Sequence, residues 1–533
     1  MPDTVPKDAD VPAWWRAGVL YQIYPRSFAD SNGDGQGDLG GVIEHLDHLA
    51  WLGINGIWLS PINTSPQADW GYDVADYLSI DPDFGSLDDL DRLVAEAGHR
   101  GIRVLMDLVP NHTSDRHAWF VDARSDRSSV HRDWYVWANP KPNGSLPNNW
   151  RSSFGGPAWM WDEGTAQYYL HNFLPEQPDL NWWNPAVADA FDDIVRFWLD
   201  RGLAGFRIDV AHALMKDRDL RDDTPALETD HPSIRRHGLR SDFSMNRPEA
   251  HDVLRRWRRI ADASQGVLLG ETWVLDLDAL ARFYGTGDDE LHLALNVPFV
   301  FSTPGEEMRE IVERTQAVLP ADAWPLWNGS NHDAGRFASR WCEGDERRTR
   351  AALCTLLTLR GTPLLYYGDE IGMRNVDVPR DRLKDPVGIR HWPDDPGRDQ
   401  GRTPMQWTPA GGFTTAGVEP WLPAGDAGAR NVDDQRADPD SLLNLCRDLI
   451  ALRRERQDLH SGTYESLEAP EGVWAWRRGT GTAVVVNHGD APSMLPLGTG
   501  EILLGTERGR AGEQVDGAVR LDPWEALVIA AGG

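Results

Sequence analysis

The order of apolar runs along the chain predicts an α/β fold of the (β/α)8, or TIM-barrel, class with a small all-β domain at the C-terminal end. Three observations predict it. Eight short runs rich in Val, Ile, Leu, Phe and Tyr alternate with longer stretches of helical periodicity; the alternation is broken at length twice; and past about Ser461 the pattern turns to short β segments separated by turn signals.

The eight runs are "VLYQIYP", "GINGIWLSP", "GIRVLMDLVPNH", "GFRIDVAH", "GVLLGETW", "LHLALNVPF", "WPLWNGSNHD" and "GTPLLYYGDE". Between the first two, Leu39, Val42, Ile43, Leu46, Leu49 and Ala50 recur at helical spacing and Gly53 can close the helix. Before the fourth, Asn184 can cap a helix that opens with Pro185 and places Val187, Phe191, Ile194, Val195 and Trp198 on one face. The first break follows "DLVPNH", where about 70 residues rich in Trp, Asn, Gly and Pro pass before the next strong helix; loops of that length are functional or form small domains of their own. The second, rich in Pro, Asp, Gly and Arg, runs from Ile371 to about Asp440, and the closing β segments are "VWAW", "TAVVVN", "EILLG" and "ALVIA".

A net charge of -30 with scattered acidic residues repels phosphate backbones and anionic lipid heads, so the expected partner is a small neutral molecule, with no nucleic acid and no membrane. Cys342, Cys354 and Cys446 are odd in number and too far apart for a metal knuckle, which suits buried free thiols in a reducing, cytoplasmic setting. The N-terminal "MPDTVPKDADVPAWW" has neither a basic region nor an apolar core, and no run of about 18 apolar residues occurs. Several of the 25 Trp residues (Trp134, Trp137, Trp150, Trp159, Trp161, Trp182, Trp183) sit in loop-like sequence, and their flat faces suit sugar rings as well as packing.

Functional polar residues in such a barrel gather at the C-terminal strand ends. Here these are Asp107 and His112 after the third strand, Arg207, Asp209 and His212 at the fourth, Glu271 at the fifth, and His332 and Asp333 at the seventh. Arg207 and Asp209, two apart on a strand, point to the same side, and the guanidinium is expected to lower the Asp209 pKa. Glu271, in "VLLGETW", is expected in a more apolar setting that raises its pKa. One ionised and one protonated carboxyl on adjacent strands is the arrangement for double-displacement glycoside hydrolysis, and the basic Arg207 argues against a divalent cation there.

In their order, "DLVPNH", "GFRIDVAH", "GETW" and "NHD" resemble the four signature regions of the α-amylase superfamily of glycoside hydrolases, with "QPDLNWWNP" similar to a fifth. The resemblance covers nearly the whole chain. It implies a catalytic barrel in two parts (1–110 and 184–460, the latter with the long loop at about 371–440), an inserted domain after strand three at 111–183, and a C-terminal β-sandwich at 461–533. It implies Asp209 as nucleophile, Glu271 as general acid/base and Asp333 as the third carboxylate, gripping hydroxyls of the reacting sugar. Arg207, His112 and His332 match hydrogen-bonding partners in that subsite, Tyr72 in "DWGYD" matches the platform under the ring, and Asp107 matches a structural support. Phe173 is a candidate wall at the leaving-group side.

The loop "DSNGDGQGDL" spaces Asp30, Asn32, Asp34 and Asp38 like an EF-hand, yet Gly41 stands where a bidentate Glu is needed and a strand precedes it. It resembles the loop of the oligosaccharide-cleaving α-glucosidase branch, which implies a structural Ca²⁺ or Mg²⁺ held by those four side chains and the Gln36 carbonyl; no organic cofactor is expected. "GRTPMQW" resembles the same branch, and Arg402 there with Asp69 matches a pair that closes the pocket behind the non-reducing-end sugar. The implied enzyme is a retaining exo-acting α-glucosidase acting on short α-glucosides, as a monomer or weak homodimer. Val210 after the nucleophile favours α-1,6 bonds by the same resemblance, whereas the following "AHALMKD" is closer to enzymes that accept maltose; an oligo-1,6-glucosidase, a transglycosylase or a sucrose isomerase is the alternative.

Overall fold

A computed structural model describes residues 13–532; the first twelve positions of the N-terminal stretch read above lie outside them. All eight expected strands form: β1 (Leu20–Ile23), β2 (Gly56–Leu59), β3 (Arg103–Leu108), β4 (Gly205–Ile208), β5 (Val267–Gly270), β6 (Leu293–Ala294), β7 (Leu326–Asn328) and β8 (Thr362–Tyr366). They make one parallel sheet in the order β6-β5-β4-β3-β2-β1-β8-β7. Among the described residues no ladder joins β6 to β7; in that interval the short helix Val297–Val300 sets Phe299 against Trp327 of β7, ring centroids 4.7 Å apart.

Every strand but the first residue of β3 is buried along its length, as parallel strands covered on both faces must be. The two-residue strand period then divides the side chains. Leu20, Trp58, Leu105, Val267, Leu269, Leu293, Leu326 and Leu364 fill the barrel interior, while Tyr21, Ile57, Val104, Phe206 and Leu268 face the outer helices. Two residues beyond the apolar layer the same inward positions turn polar: Gln22 after Leu20, Ser60 after Trp58, Asp107 after Leu105, Glu271 after Leu269.

The helix expected from Leu39 is broken into Leu39–Glu44 and Leu46–Leu52. His45 lies at the break, its ring Nδ1 paired with the Gly41 carbonyl at 2.9 Å and its N–H bonded three residues back to Val42, which tightens the turn. Gly53 closes the second segment at φ 94°, and Asn184 caps the helix Pro185–Asp200 by accepting from the Ala186 N–H.

After β3 the chain forms the helix Ala118–Ser125 and a three-stranded antiparallel sheet (Trp137–Ala138, Gln167–Leu170, Trp159–Asp162). Bridges His112–Asp179 and Tyr135–Leu180 draw the end of this excursion back to its beginning. The stretch after β8 carries only short helices and turns, and it packs on the loop after β1: Asp30 N–H donates to the Phe413 carbonyl, Met405 N–H to Ser27 and Trp421 N–H to Gly35.

The C-terminal region holds a six-stranded antiparallel sheet ordered Tyr464–Leu467, Val473–Arg478, Thr482–Asn487, Ala526–Ala531, Gly500–Gly505, Gln514–Val515, and a two-stranded sheet of Ser493–Pro496 with Ala518–Leu521. Val473, Ala475, Val485, Leu527 and Ile529 meet the small sheet in a core of their own, whereas Trp474, Trp476, Val484 and Val528 join the barrel's core. Covered on both faces, these strands read as continuous apolar runs such as "AVVV". Among the described residues no helix is long and apolar enough to cross a membrane.

Candidate active site

The ladder sets the candidate catalytic residues side by side. Asp107 on β3 pairs with Arg207 on β4, and one step further the Asp209 N–H bonds the Leu108 carbonyl and the Glu271 N–H bonds the Ile208 carbonyl. The Arg207 guanidinium then serves three carboxylates: Nη1 donates to Asp107 Oδ1 at 2.8 Å and Asp209 Oδ1 at 2.7 Å, and Nη2 to Glu271 Oε2 at 2.8 Å. Carboxyls bonded to neighbouring nitrogens of one planar guanidinium are held side by side. Glu271 Oε2 also accepts from the Val210 N–H at 3.0 Å.

The expected electrostatic split takes a different form. Instead of being lowered by Arg207, Asp209 is raised well above the carboxylate range: burial raises it, Arg207 opposes, and the Glu271 and Asp107 charges raise it further. Burial likewise pushes Asp107 up to about 6, with Arg207 pulling the other way. One cation shared among three carboxylates leaves the cluster short of positive charge, and the two most deeply buried of them, Asp107 and Asp209, are the ones shifted upward. Nor is the Glu271 pocket apolar as expected, since Glu271 receives an ion pair and a backbone N–H, and its neighbour Trp273 is 41 % exposed and packs against Phe301.

Val210 adopts φ 45°, a left-handed conformation that β-branched residues rarely take, and the turn it makes aims its N–H at Glu271.

Asp333 sits in the opposite environment. Arg398 Nη1 and Arg402 Nη2 both donate to its Oδ1, at 3.2 and 3.1 Å, and His332 Nε2 lies 3.1 Å from its Oδ2. Burial works against the charge, yet the His332 ring and the guanidiniums of Arg398, Arg402 and Arg207 hold Asp333 well below the usual range. His332 is neutral, driven down by burial, with Nδ1 2.8 Å from the Gln22 amide nitrogen; Tyr72 stacks on it at 5.3 Å between centroids with planes 5° apart, and the Tyr72 hydroxyl donates to Asp107 Oδ2 at 3.1 Å. Burial also lowers His112 to about 4, and its Nε2 lies 3.1 Å from both the Tyr72 carbonyl and the Gln177 amide nitrogen.

The expected pairing of Asp69 with Arg402 is not made. Asp69 Oδ1 instead accepts from Arg398 Nη2 at 2.6 Å, while Arg402 points its Nε at the His332 carbonyl and its Nη2 at Asp333. Both arginines flank the turn Asp399–Gly401, and only the first reaches Asp69. Arg398 therefore closes this side of the pocket, its guanidinium 5.0 Å from the Phe154 ring centroid; Phe154 packs on Phe173 at 5.5 Å, and Phe173 on His112 at 5.2 Å. Arg398, Gln177, Gln22, Trp58 and Phe154 escape the sequence reading. Arg398 carried one signal, standing four residues before Arg402, but which of the two faces Asp69 depends on how the loop folds.

In the loop after β1, Asp30 Oδ1 accepts from the Asn32 and Gly33 N–H groups and Oδ2 from that of Gly35; Asn32 accepts from Asp34 N–H, and Asp34 from Gln36 N–H. Asp38 caps the helix Leu39–Glu44 and binds Ser31, and the Gln36 side chain accepts from Arg26. The donors are all hard oxygens, which suits Ca²⁺ or Mg²⁺. Their carboxylates are nonetheless committed to the loop's own N–H groups, and among the described residues no three His, Cys, Asp or Glu are grouped so as to hold a metal.

Residues 22–462 match the family model described as the α-amylase catalytic domain. The chain belongs to the α-amylase family. Among its relatives in that family, a probable α-glucosidase of Rhizobium meliloti (strain 1021) is 41 % identical, with 96 % of each chain covered. An oligo-1,6-glucosidase of Heyndrickxia coagulans is 39 % identical over 85 % of this chain and 87 % of its own. The crystal structure of an α-glucosyl transfer enzyme superposes with a TM-score of 0.91 at 39 % identity, covering 98 % of this chain and all of the other. The α-amylase family is a family of glycoside hydrolases, and Asp209 and Glu271, each one residue past the ends of β4 and β5, meet on the same guanidinium.

Proposed function

We propose that this α-amylase family member is a retaining, exo-acting α-glucosidase that releases glucose from the non-reducing end of maltose and short malto-oligosaccharides. One observation carries the reading: Asp209 and Glu271 meet on one guanidinium, beside an ion lattice of Asp69, Arg398, Asp333 and Arg402. A glucosyl unit entering that pocket has Asp209 on one face of its anomeric carbon and Glu271 toward the leaving oxygen. Glu271 gives a proton to that oxygen as the glycosidic bond breaks, and Asp209 forms the glucosyl ester. Water then enters, Glu271 takes one of its protons, the water oxygen bonds the anomeric carbon as the ester bond to Asp209 breaks, and α-glucose leaves. Ionised Asp333, with Arg398 and Arg402, grips the sugar hydroxyls, and neutral His332 and His112 donate or accept without adding charge. Tyr72 supplies the flat face beneath the ring.

The Asp69–Arg398 pair walls off the far end, so long polymers are poor substrates. Val210 keeps oligo-1,6-glucosidase action as the alternative, and the 39 % identical glucosyl transfer enzyme favours a measurable share of transfer to sugar hydroxyls in place of water. Buried free Cys342, Cys354 and Cys446 suit a cytoplasmic enzyme, a monomer or weak homodimer. The oxygen donors of Asp30, Asn32, Asp34, Asp38 and the Gln36 carbonyl would hold Ca²⁺ or Mg²⁺ as a pin for the loop against residues 413–421. Chelation then lowers the melting temperature while still-folded enzyme keeps its rate. A prompt, reversible loss of activity at unchanged stability would make the ion catalytic instead.

Initial rates on maltose, isomaltose, sucrose, trehalose and soluble starch, with the first-released anomer followed by NMR, test the main reading. It expects maltose well ahead of starch and α-glucose first. Appearance of β-glucose first, or starch outrunning maltose, would refute it.

A further inference from the structure

Asp385 has no place in the chemistry above, yet it is fully buried and turns both carboxyl oxygens on Arg398. Its Oδ1 accepts from Arg398 Nη2 at 2.7 Å and Nε at 3.1 Å; its Oδ2 accepts from the Arg398 backbone N–H at 2.6 Å and from Nε at 3.2 Å. Asp399 in turn fixes the Asp385 backbone, its Oδ2 accepting the N–H groups of Lys384 and Asp385 at 2.6 and 2.9 Å. The close approach requires a glycine between them. Gly397 lies at φ 73°, and a Cβ there would stand 2.4 Å from Asp385 Oδ2.

Arg398 has four rotatable side-chain bonds, so spanning Asp69 and Asp333 together costs it freedom that something must offset. Asp385 is the only one of its three carboxylates that holds both Nε and the backbone N–H, which fixes the root of the fork while the tips reach the other two. Against burial, Arg398 keeps the Asp385 carboxyl down at about 2, so the brace stays charged throughout the working range.

We propose that Asp385 is the positioning residue of the sugar-gripping lattice, acting through Arg398 to set how tightly the enzyme holds the non-reducing-end glucosyl unit. This rests on the α-glucosidase reading. Asp385 itself touches no sugar; its influence passes through the orientation of one guanidinium.

The test is a double-mutant cycle on purified full-length enzyme, reading kcat and KM on p-nitrophenyl α-glucoside, Ki for glucose and the thermal midpoint. Asp385→Asn is expected to raise KM and Ki for glucose together by about tenfold while kcat falls by less than about threefold, a split that general destabilisation does not produce. In an Arg398→Ala background the same substitution should add less than about twofold, because the group it acts through is gone. Gly397→Ala, which drives a methyl into the Asp385 carboxylate, should reproduce the Asp385→Asn pattern and serves if that variant does not fold. Unchanged Ki in a folded Asp385→Asn or Gly397→Ala enzyme, or penalties that multiply in the double variant, would overturn the proposal. Wild type without α-glucosidase activity would overturn the functional reading instead.

Discussion

Two ionic groups share one pocket and are built from the same residue types, but they are charged differently. Around Arg207, one guanidinium serves Asp107, Asp209 and Glu271; around Asp333, two guanidiniums converge on one carboxylate oxygen. Asp107 and Asp209 in the first are shifted upward, whereas Asp333 in the second is shifted down. Asp333 is also the more exposed, its side chain 20 % accessible against 0 % for Asp107 and 6 % for Asp209, so burial and the ratio of cations to carboxylates push the ionisation states apart in the same direction. The placement of three arginines thus gives the two ends of one pocket opposite electrostatic characters.

The largest way to break that comparison is Asp209→Asn, which removes the proposed nucleophile and is expected to leave the fold intact. Turnover should fall to less than about a hundredth of wild type with an unchanged far-UV spectrum, and a faster folded variant would strip Asp209 of the role. Next comes Asp333→Asn. Arg398 and Arg402 would then face a neutral amide, and kcat/KM should drop by about a thousandfold, with loss of glucose inhibition marking the failure as one of grip.

Asp107→Asn sharpens the contrast instead of breaking it. With two carboxylates per guanidinium, Asp209 should ionise more readily, moving the acid limb of the kcat/KM profile about one unit lower. A limb that stays put would show that the Asp107 charge does not act on Asp209.

The smallest effect lies outside the pocket, at Asp369. Burial raises its carboxyl to about 7, with the Tyr366 N–H and Arg336 opposing. Because the folded pKa is above the unfolded value, the folded state holds a proton that the unfolded chain has lost between about pH 4 and 7, and stability falls as pH rises through that window. Asp369→Asn should flatten this slope in urea titrations at pH 5 and 8, and an unaltered slope would place the proton elsewhere.

Much of this molecule is written in its local patterns. The eight barrel strands, the Asn184 cap and the Gly53 stop follow from apolar period, capping chemistry and backbone sterics, which act over a few residues. The polar tips of strands three, four, five and seven were legible for the same reason, since a period of two carries Leu105 to Asp107 and Leu269 to Glu271 on one face. Only the tertiary structure decided the charges. The reading from Arg207 and Asp209 alone expected a lowered pKa, because a sequence shows one neighbour and cannot show that Asp107 and Glu271 compete for the same guanidinium from other strands. The choice of Arg398 over Arg402 at Asp69, and the brace at Asp385, depend on how a loop with little regular structure closes over the barrel mouth. Short-range forces give such a loop no period to read, so contacts between distant segments set its course.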